Sequence, residues 1–319
     1  MEMFSPPSQE FWEEVLKNCE SATFFHSPTW LAALEKTYPR YTNATVGFTF
    51  KSGNRALIPI MAEHSKGRFL KKIKHKSMAL GTYGGIISER NLSPEESRGI
   101  FEHLTSGTFN DLNIVDNPLS QLHFPESLPS KSLFTHIIYM DCAFEQMTKR
   151  FSRGHRSNIK QAEKKGVHIR CADSLEDFER YYQVYGETIK RWGEEAGTIY
   201  PWELFLNLYQ TMNPDIKLWL AEKEETIIAG VLAFYCNTTI IYWHGSSLRD
   251  YFDHYPNNLL HTEIIKDGCL NGYRRYDLNP SGGHPGVVKF KESLSARRVD
   301  FRSYHWKKRS RTKKVAEGD

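Results

Sequence analysis

Two tandem domains of mixed α/β class, each with an α+β mixed sheet and both packed around a shared cleft, are what this sequence predicts, and three observations carry that expectation. The chain has 319 residues, more than the ~250 to 300 at which a single hydrophobic core stops growing. From Val167 onward the apolar periodicity reads strand, two helices, three antiparallel strands, helix, strand, helix, strand. The first half reads helices, a strand meander, a helix and strands, so a structural duplication is expected without sequence repetition. The expected division is 1–143 and 144–298, with residues 299–319 returning to the first domain.

In the first half, Phe11, Trp12, Val15 and Leu16 recur at helical spacing. Ser27 as N-cap, Pro28 at the first helical position and an apolar face of Leu31 and Leu34 mark a second helix. Residues 44–50 and 55–62 flank Ser52-Gly53-Asn54, the turn chemistry of a hairpin. A strand is expected near 77–87. Ser93-Pro94-Glu95-Glu96 forms a capping box for a helix buried through Ile100, Phe101 and Leu104. Strands follow at 111–115 and 134–140, and the three prolines between Asn117 and Ser132 predict a loop.

The second half has clearer signals. A helix stops at Gly166 and a strand covers Val167 to Arg170. Ser174 and Asp177 cap a helix whose Phe178, Tyr181, Tyr182, Tyr185, Ile189 and Trp192 make one broad apolar face. Another helix starts near Pro201. Strands at 216–222, 226–235 and 239–246 lead to a helix at 257–271 and a strand at 274–278, then a helix near 287–295 and a strand near 299–306.

Composition bounds the function class. Hydrophobic content of 39%, aromatic content of 13% and charged content of 25% describe a folded protein. No window approaches the ~20 apolar residues of a membrane helix, and the start MEMFSPPSQEFWEE lacks a secretory signal, so a cytoplasmic location is expected. Cys19, Cys142, Cys171, Cys236 and Cys269 show no metal-ligand or CxxC spacing and are expected to be buried free thiols, with no metal bound. The net charge of +4 is small, yet the cations cluster in Lys66–Lys76 (KGRFLKKIKHK) and in a tail, Lys307–Lys314 (KKRSRTKK), expected to be disordered. Charge alone leaves open whether these runs meet anionic lipid at the inner membrane face, tRNA or only solvent.

Four segments resemble the Fem family of peptidoglycan-peptide aminoacyltransferases within the wider GNAT superfamily. They are Phe24-Phe25-His26-Ser27-Pro28-Thr29-Trp30, Tyr83-Gly84-Gly85, the run from Arg156 to Val167 (RSNIKQAEKKGV), and the run from Tyr255 to Lys291, which contains Pro256-Asn257-Asn258-Leu259-Leu260-His261, Gly272 to Leu278, and a closing Gly286 to Phe290-Lys291. The element order of the second half is also that of the GNAT fold. The resemblance implies two GNAT-like domains, a peptidoglycan precursor as acceptor, an aminoacyl-tRNA as donor, and a new amide on a lysine-type side chain, with no tightly bound cofactor and no stable protein partner. The long coiled-coil hairpin that staphylococcal members use toward tRNA is absent. An acetyl-CoA enzyme should instead carry Arg/Gln-x-x-Gly-x-Gly/Ala after the third antiparallel strand, where exposed N–H groups grip pyrophosphate. That position reads Ser246-Ser247-Leu248-Arg249-Asp250-Tyr251-Phe252. Gly282, Gly283 and Gly286 do not form GxGxxG and read as a close-approach loop.

Amide formation needs a neutral amine, removal of its proton and stabilisation of an oxyanion. Lys291, matching the family's Phe-Lys, is the candidate cation beside the developing charge, against a solvated lysine on the last helix. Asp277 ends a short strand where a carboxylate can orient an amine, against a helix cap or salt bridge. His244 is a candidate base or a packed core histidine. Asn257, Asn258 and His261 open a helix after Pro256, where free N–H groups favour anions, with Asn257 as N-cap the alternative. Were residues 149–164 one helix, Lys149, Arg153, Arg156, Lys160 and Lys164 would share a face, with Arg156 and Lys160 placed to touch a diphosphate and Gly154 a potential break. Tyr83 is a candidate for the acceptor site. Two other readings stay open: an acyl-CoA-dependent N-acyltransferase acting on a small or polysaccharide-linked amine, and a non-catalytic module that binds RNA or membrane.

Overall fold

The computed structural model describes residues 1–65, 72–80, 82–120, 128–193, 198–282 and 284–308. Most of the first basic run's start (66–71), part of the expected proline-rich loop (121–127), Gly283 and the basic tail from 309 lie outside the described residues. The first half runs β1 (Glu2–Phe4), α1 (Gln9–Asn18), α2 (Pro28–Thr37), β2 (Tyr41–Asn43), β3 (Val46–Thr49), β4 (Arg55–Ile58), β5 (Met61–Ser65), β6 (Lys72–Ser77), β7 (Ile87–Ser88), α3 (Pro94–His103), β8 (Asp111–Val115) and β9 (Ser130–Tyr139). The second runs α4 (Phe144–Arg150), α5 (Arg153–Lys164), β10 (His168–Cys171), α6 (Leu175–Trp192), α7 (Trp202–Gln210), β11 (Ile216–Lys223), β12 (Thr226–Cys236), β13 (Thr239–Ser247), α8 (Pro256–Leu270), β14 (Arg275–Asp277), α9 (Pro285–Ser293) and β15 (Arg297–Lys307).

Local chemistry sets the helix starts. Ser27 Oγ accepts from the Trp30 N–H with Pro28 in the first turn, Ser93 and Glu96 close a reciprocal capping box, and Ser174 Oγ accepts from the Asp177 N–H. Differences from expectation have local causes. The strand expected near 77–87 is the basic segment β6 plus the two-residue β7; between them the backbone turns, with positive φ at Met78, Leu80 and Gly85. Residues 149–164 are not one helix. The chain leaves α4 at Phe151 and restarts with Ser152 as the N-cap of α5, so Gly154 lies inside the new helix and is not the break. Gly286 likewise sits in the first turn of α9, not in a loop. All five cysteines are free, but only Cys19 and Cys236 are buried.

An eleven-stranded sheet spans both halves in the order β10-β11-β12-β13-β14-β9-β15-β8-β6-β5-β2, beside a four-stranded sheet β1-β3-β4-β7. In the large sheet the parallel pairs are β13 with β14 and β6 with β8. The arrangement is pseudo-symmetric about the β9–β15 pair, and the closing strands are exchanged. β9, which ends the first half, pairs with β14 of the second; β15, which ends the second, pairs with β8 of the first. Neither half completes its sheet alone.

The main core is shared in the same way. Phe24, Phe25 and Trp30 of the first half meet Phe234 and Trp243 of the second, with Phe24 stacked on Phe234 at 4.4 Å between ring centroids, Trp30 edge-on to Trp243 at 5.3 Å and Phe234 stacked on Trp243 at 5.2 Å. Such offset and edge contacts add to the area each ring buries. Phe234→Ala is therefore expected to cost about 3–5 kcal/mol. Urea unfolding followed by tryptophan fluorescence and by far-ultraviolet circular dichroism should give one coincident transition; two separated transitions would mean that the halves fold independently.

Candidate active site

Strands β13 and β14 run parallel for three residue pairs, Thr239 with Arg275 to Ile241 with Asp277. Beyond them β14 ends while β13 continues to Ser247, so an opening forms at the carboxyl ends of two parallel strands, the position where α/β sheets bind ligands. A bulge widens it. Leu232 faces His244 and Ala233 faces Tyr242 across the β12–β13 pair, leaving Trp243 as the extra residue. Asn279, with φ of 56°, closes the base of the opening through Nδ2, which donates to the Tyr242 carbonyl at 2.7 Å.

Asp277 lies at that base, fully buried. Its carboxylate accepts from Thr135 Oγ1 at 2.5 Å, Tyr83 Oη at 2.9 Å and the Asn279 N–H at 2.9 Å. Thr135 reaches it because Ile137 of β9 faces Asp277 in register, which makes Thr135 the diagonal neighbour on the same face. Burial pushes the Asp277 carboxyl up; the three donors and the Lys291 charge oppose this. Tyr83 keeps its proton, raised well above the usual phenol range by burial and by the neighbouring carboxylate.

Tyr83 arrives from the other half on a rigid turn. His26, neutral because burial lowers it to about 4, accepts from the Thr23 N–H at Nδ1 and donates from Nε2 to the Gly84 carbonyl at 2.7 Å. The Gly84 N–H donates to the Val115 carbonyl and the Gly85 N–H to Ser77 Oγ, both at 2.9 Å. Ser77 and Val115 end β6 and β8, the first half's own parallel pair. The Tyr83-Gly84-Gly85 turn thus fills the mouth that corresponds to the β13–β14 opening. The fit requires glycine: a Cβ on Gly84 would lie 2.8 Å from Ser77 Oγ, and Gly85 has φ of +85° with Asp116 Oδ1 2.9 Å from a Cβ position.

Lys291 is not solvated; it is 2% exposed, and its Nζ donates to the Asn279 carbonyl at 2.5 Å. Burial lowers its pKa to about 8, with the Asp277 charge pulling the other way. Tyr83, Asp277 and Lys291, three residues singled out in the sequence, therefore converge. Asp277 is neither a helix cap nor a surface ion pair. Two buried side chains nearby have, among the described residues, no partner for one polar atom each, His136 Nδ1 and Ser281 Oγ, and His136 feels the Lys291 charge.

The remaining candidates are placed differently. His244 is buried and tied to Tyr181 Oη at 2.7 Å, ringed by Tyr185, Tyr200 and Phe205, and burial lowers it to about 3. It is a neutral packed residue. Asn258 and His261 are buried on the opposite face of the sheet from Asp277. Asn258 Nδ2 donates to His155 Nδ1 at 2.7 Å, joining α8 to α5, and His261 Nδ1 bonds Tyr276 Oη at 2.8 Å. Neither side chain is displayed to an anion. Asn257 is not the N-cap, which is Tyr255 with φ of 53°; its Nδ2 donates to Ser247 Oγ at 3.2 Å beside the opening. Arg156 turns back to cap α4, donating to the Lys149 and Phe151 carbonyls at 2.9 and 2.8 Å, while Lys160 is exposed on α5. Sequence reasoning did not single out Thr135 or Asn279. Thr135 carries no local signal, since its role depends on a strand pairing 142 residues distant. Asn279 had one, an Asn-Pro pair two residues after the acid.

Residues 149–292 match the family model described as acetyltransferase (GNAT) domain. No curated protein matches the sequence. Among solved structures, FemX superposes with a TM-score of 0.70 at 13% identity, covering 95% of this chain and 97% of that one. A C-terminal domain from Agrobacterium fabrum described as that of a lysylphosphatidylglycerol synthetase gives 0.58 at 10% identity, covering 93% and 91%; L-PGS from Bacillus licheniformis gives 0.56 at 15%, covering 97% and 94%. At these identities the likeness is one of fold, and it extends over the whole described arrangement of two exchanged halves. Residues 149–292 thus match a GNAT-type acetyltransferase domain, and the chain is an acyltransferase that shares the fold of FemX.

Proposed function

We propose that this protein transfers an aminoacyl group to an amine of a cell-envelope precursor, with the Tyr83–Asp277–Lys291 cluster as the reacting centre. The observation that carries this reading is a buried lysine, held on the Asn279 carbonyl and lowered by burial to about 8, within the field of the buried Asp277 carboxylate where β13 and β14 part. Attack of a neutral amine on the donor's ester carbonyl builds negative charge on the carbonyl oxygen. Its collapse forms the C–N bond, breaks the ester C–O bond and releases the donor's hydroxyl, which takes up the proton the amine gives up. The Lys291 ammonium supplies the charge that compensates the oxyanion in a water-poor site, where it is most effective. Asp277 keeps that ammonium charged, and Tyr83 and Thr135 keep the carboxylate oriented.

The donor reading follows from the chain after β13. Residues 246–252 carry no glycine; Arg249–His254 form a short 3₁₀ turn, and α8 begins at Pro256. The backbone cradle that grips the CoA pyrophosphate in a conventional enzyme has no counterpart in sequence there. This favours an aminoacyl-tRNA over acyl-CoA. The name of the lysylphosphatidylglycerol synthetase neighbour and the resemblance of four segments to the Fem family support a peptidoglycan or other envelope acceptor.

Four outcomes are expected. Thermal unfolding of the full chain should rise by a few degrees with a UDP-linked muramyl pentapeptide or charged tRNA and not with acyl-CoA; a rise with acyl-CoA alone would transfer the reading to a CoA-dependent N-acyltransferase on another amine. Lys291→Met, in a variant shown to be folded, should lower kcat on the order of 100-fold or more in an assay of labelled amino-acid transfer, and wild-type rates would remove Lys291 from the chemistry. Because Lys291 loses its proton as pH rises through about 8, kcat should fall on that alkaline limb. Asp277→Asn removes a charge that raises the Lys291 pKa, so its limb should move to lower pH.

A further inference from the structure

A groove of about 1550 Å³ lies on the large sheet away from the cluster above, lined by β5, β6, β8, β15 and the start of β9. Register explains its chemistry. Lys76 faces Asn113 across β6 and β8, Asn113 faces His305 across β8 and β15, and Ser303 faces Lys131 across β15 and β9, so these side chains share one face. The alternate positions, Leu112, Ile114 and Tyr304, are buried in a core cluster on the other face. A half-solvated sheet ordinarily mixes charge signs on its open side. Here six lysines line the groove, Lys72, Lys74, Lys76, Lys131, Lys307 and Lys308. The opposing carboxylates are few: Asp111 is engaged by His305 at 2.9 Å and Glu63 by Lys76 at 2.7 Å. Lysines that only guarded a sheet edge would sit on β2 or β10; these extend over strands inside the sheet.

We propose that this face docks on the anionic headgroups of a lipid bilayer. Charge complementarity selects a polyanion, and the residue types select a membrane over RNA. Among the described residues no arginine, phenylalanine, tyrosine or tryptophan lines the groove, whereas single-stranded nucleic acid is held by bases stacked on aromatic side chains and specific phosphates by bidentate guanidinium groups. Lysine supplies the diffuse attraction that draws basic surfaces to negatively charged leaflets. Ile73, 43% exposed between Lys72 and Lys74, is an apolar side chain at the rim. The groove is set apart from the reaction along the strands: on β9 Lys131 lies four residues, roughly 13 Å, from Thr135, and on β15 Lys307 lies ten residues, roughly 33 Å, from Arg297, which faces Ile137 beside Asp277. The docking does not rest on the identity of the acceptor.

The test is co-sedimentation of the full chain with phosphatidylcholine vesicles, with and without roughly one third phosphatidylglycerol, at low and high salt. Binding is expected only with phosphatidylglycerol and should fade with salt. The variant Lys72→Gln/Lys74→Gln/Lys131→Gln, altered only at exposed positions, should bind those vesicles on the order of 10–100-fold more weakly while keeping its melting temperature and its transfer rate with a soluble acceptor. Equal binding by the variant, absence of binding to phosphatidylglycerol vesicles at low salt, or binding to duplex RNA without binding to vesicles would overturn the proposal. The soluble-acceptor rate reports on the acyltransferase reading separately.

Discussion

The arrangement depends on a carboxylate held in the middle of a sheet. An ionised side chain there is strongly unfavourable unless donors surround it, and Asp277 obtains three from separate parts of the chain: Tyr83 on a first-half turn, Thr135 on the strand between the halves, and the backbone of Asn279 just beyond its own strand. Satisfying one buried charge therefore fixes how the halves meet, where β13 and β14 part and which way Lys291 points. A buried pair of this kind adds little net stability. Burial, which the Asp277 charge only partly offsets, leaves a lysine whose proton is held less tightly than in water.

The duplication is asymmetric in use. Each half has a parallel strand pair with an opening at its carboxyl end, yet in the first half the Tyr83-Gly84-Gly85 turn occupies that opening and is bolted to Ser77, Val115 and His26. The turn's tyrosine then serves the other half. One copy has become scaffold for the other, and the exchange of β9 and β15 keeps the two from separating.

Much of the fold was legible because the second half's strands are long, apolar and bounded by turn residues, and because Ser27, Ser93 and Ser174 mark helix starts chemically. What failed was local: β6 is made of alternating lysines, so it lacks the apolar signal of a strand, and the end of α4 is set by a capping serine that a basic periodicity conceals. At the site, Tyr83, Asp277 and Lys291 were legible because each sits in a segment with distinctive chemistry. Their mutual contact was not, since Tyr83 and Asp277 lie 194 residues apart. His261 and Asn258 misled for the same reason in reverse: helix-start position suggests access, but burial depends on what packs above, here Tyr276 and His155.

The exchanged strand β15 also orders the making of the molecule in time. It lies between β8 and β9, both of which leave the ribosome more than 150 residues earlier than Arg297. During synthesis, which proceeds from the amino end, the first half must wait with the edges of β8 and β9 that β15 will cover still open, and an open edge is the feature most prone to pair with another chain. Asp111 on β8 and Lys131 on β9 place a charge on each of the two strands that wait for β15, the kind of residue that discourages pairing with another chain.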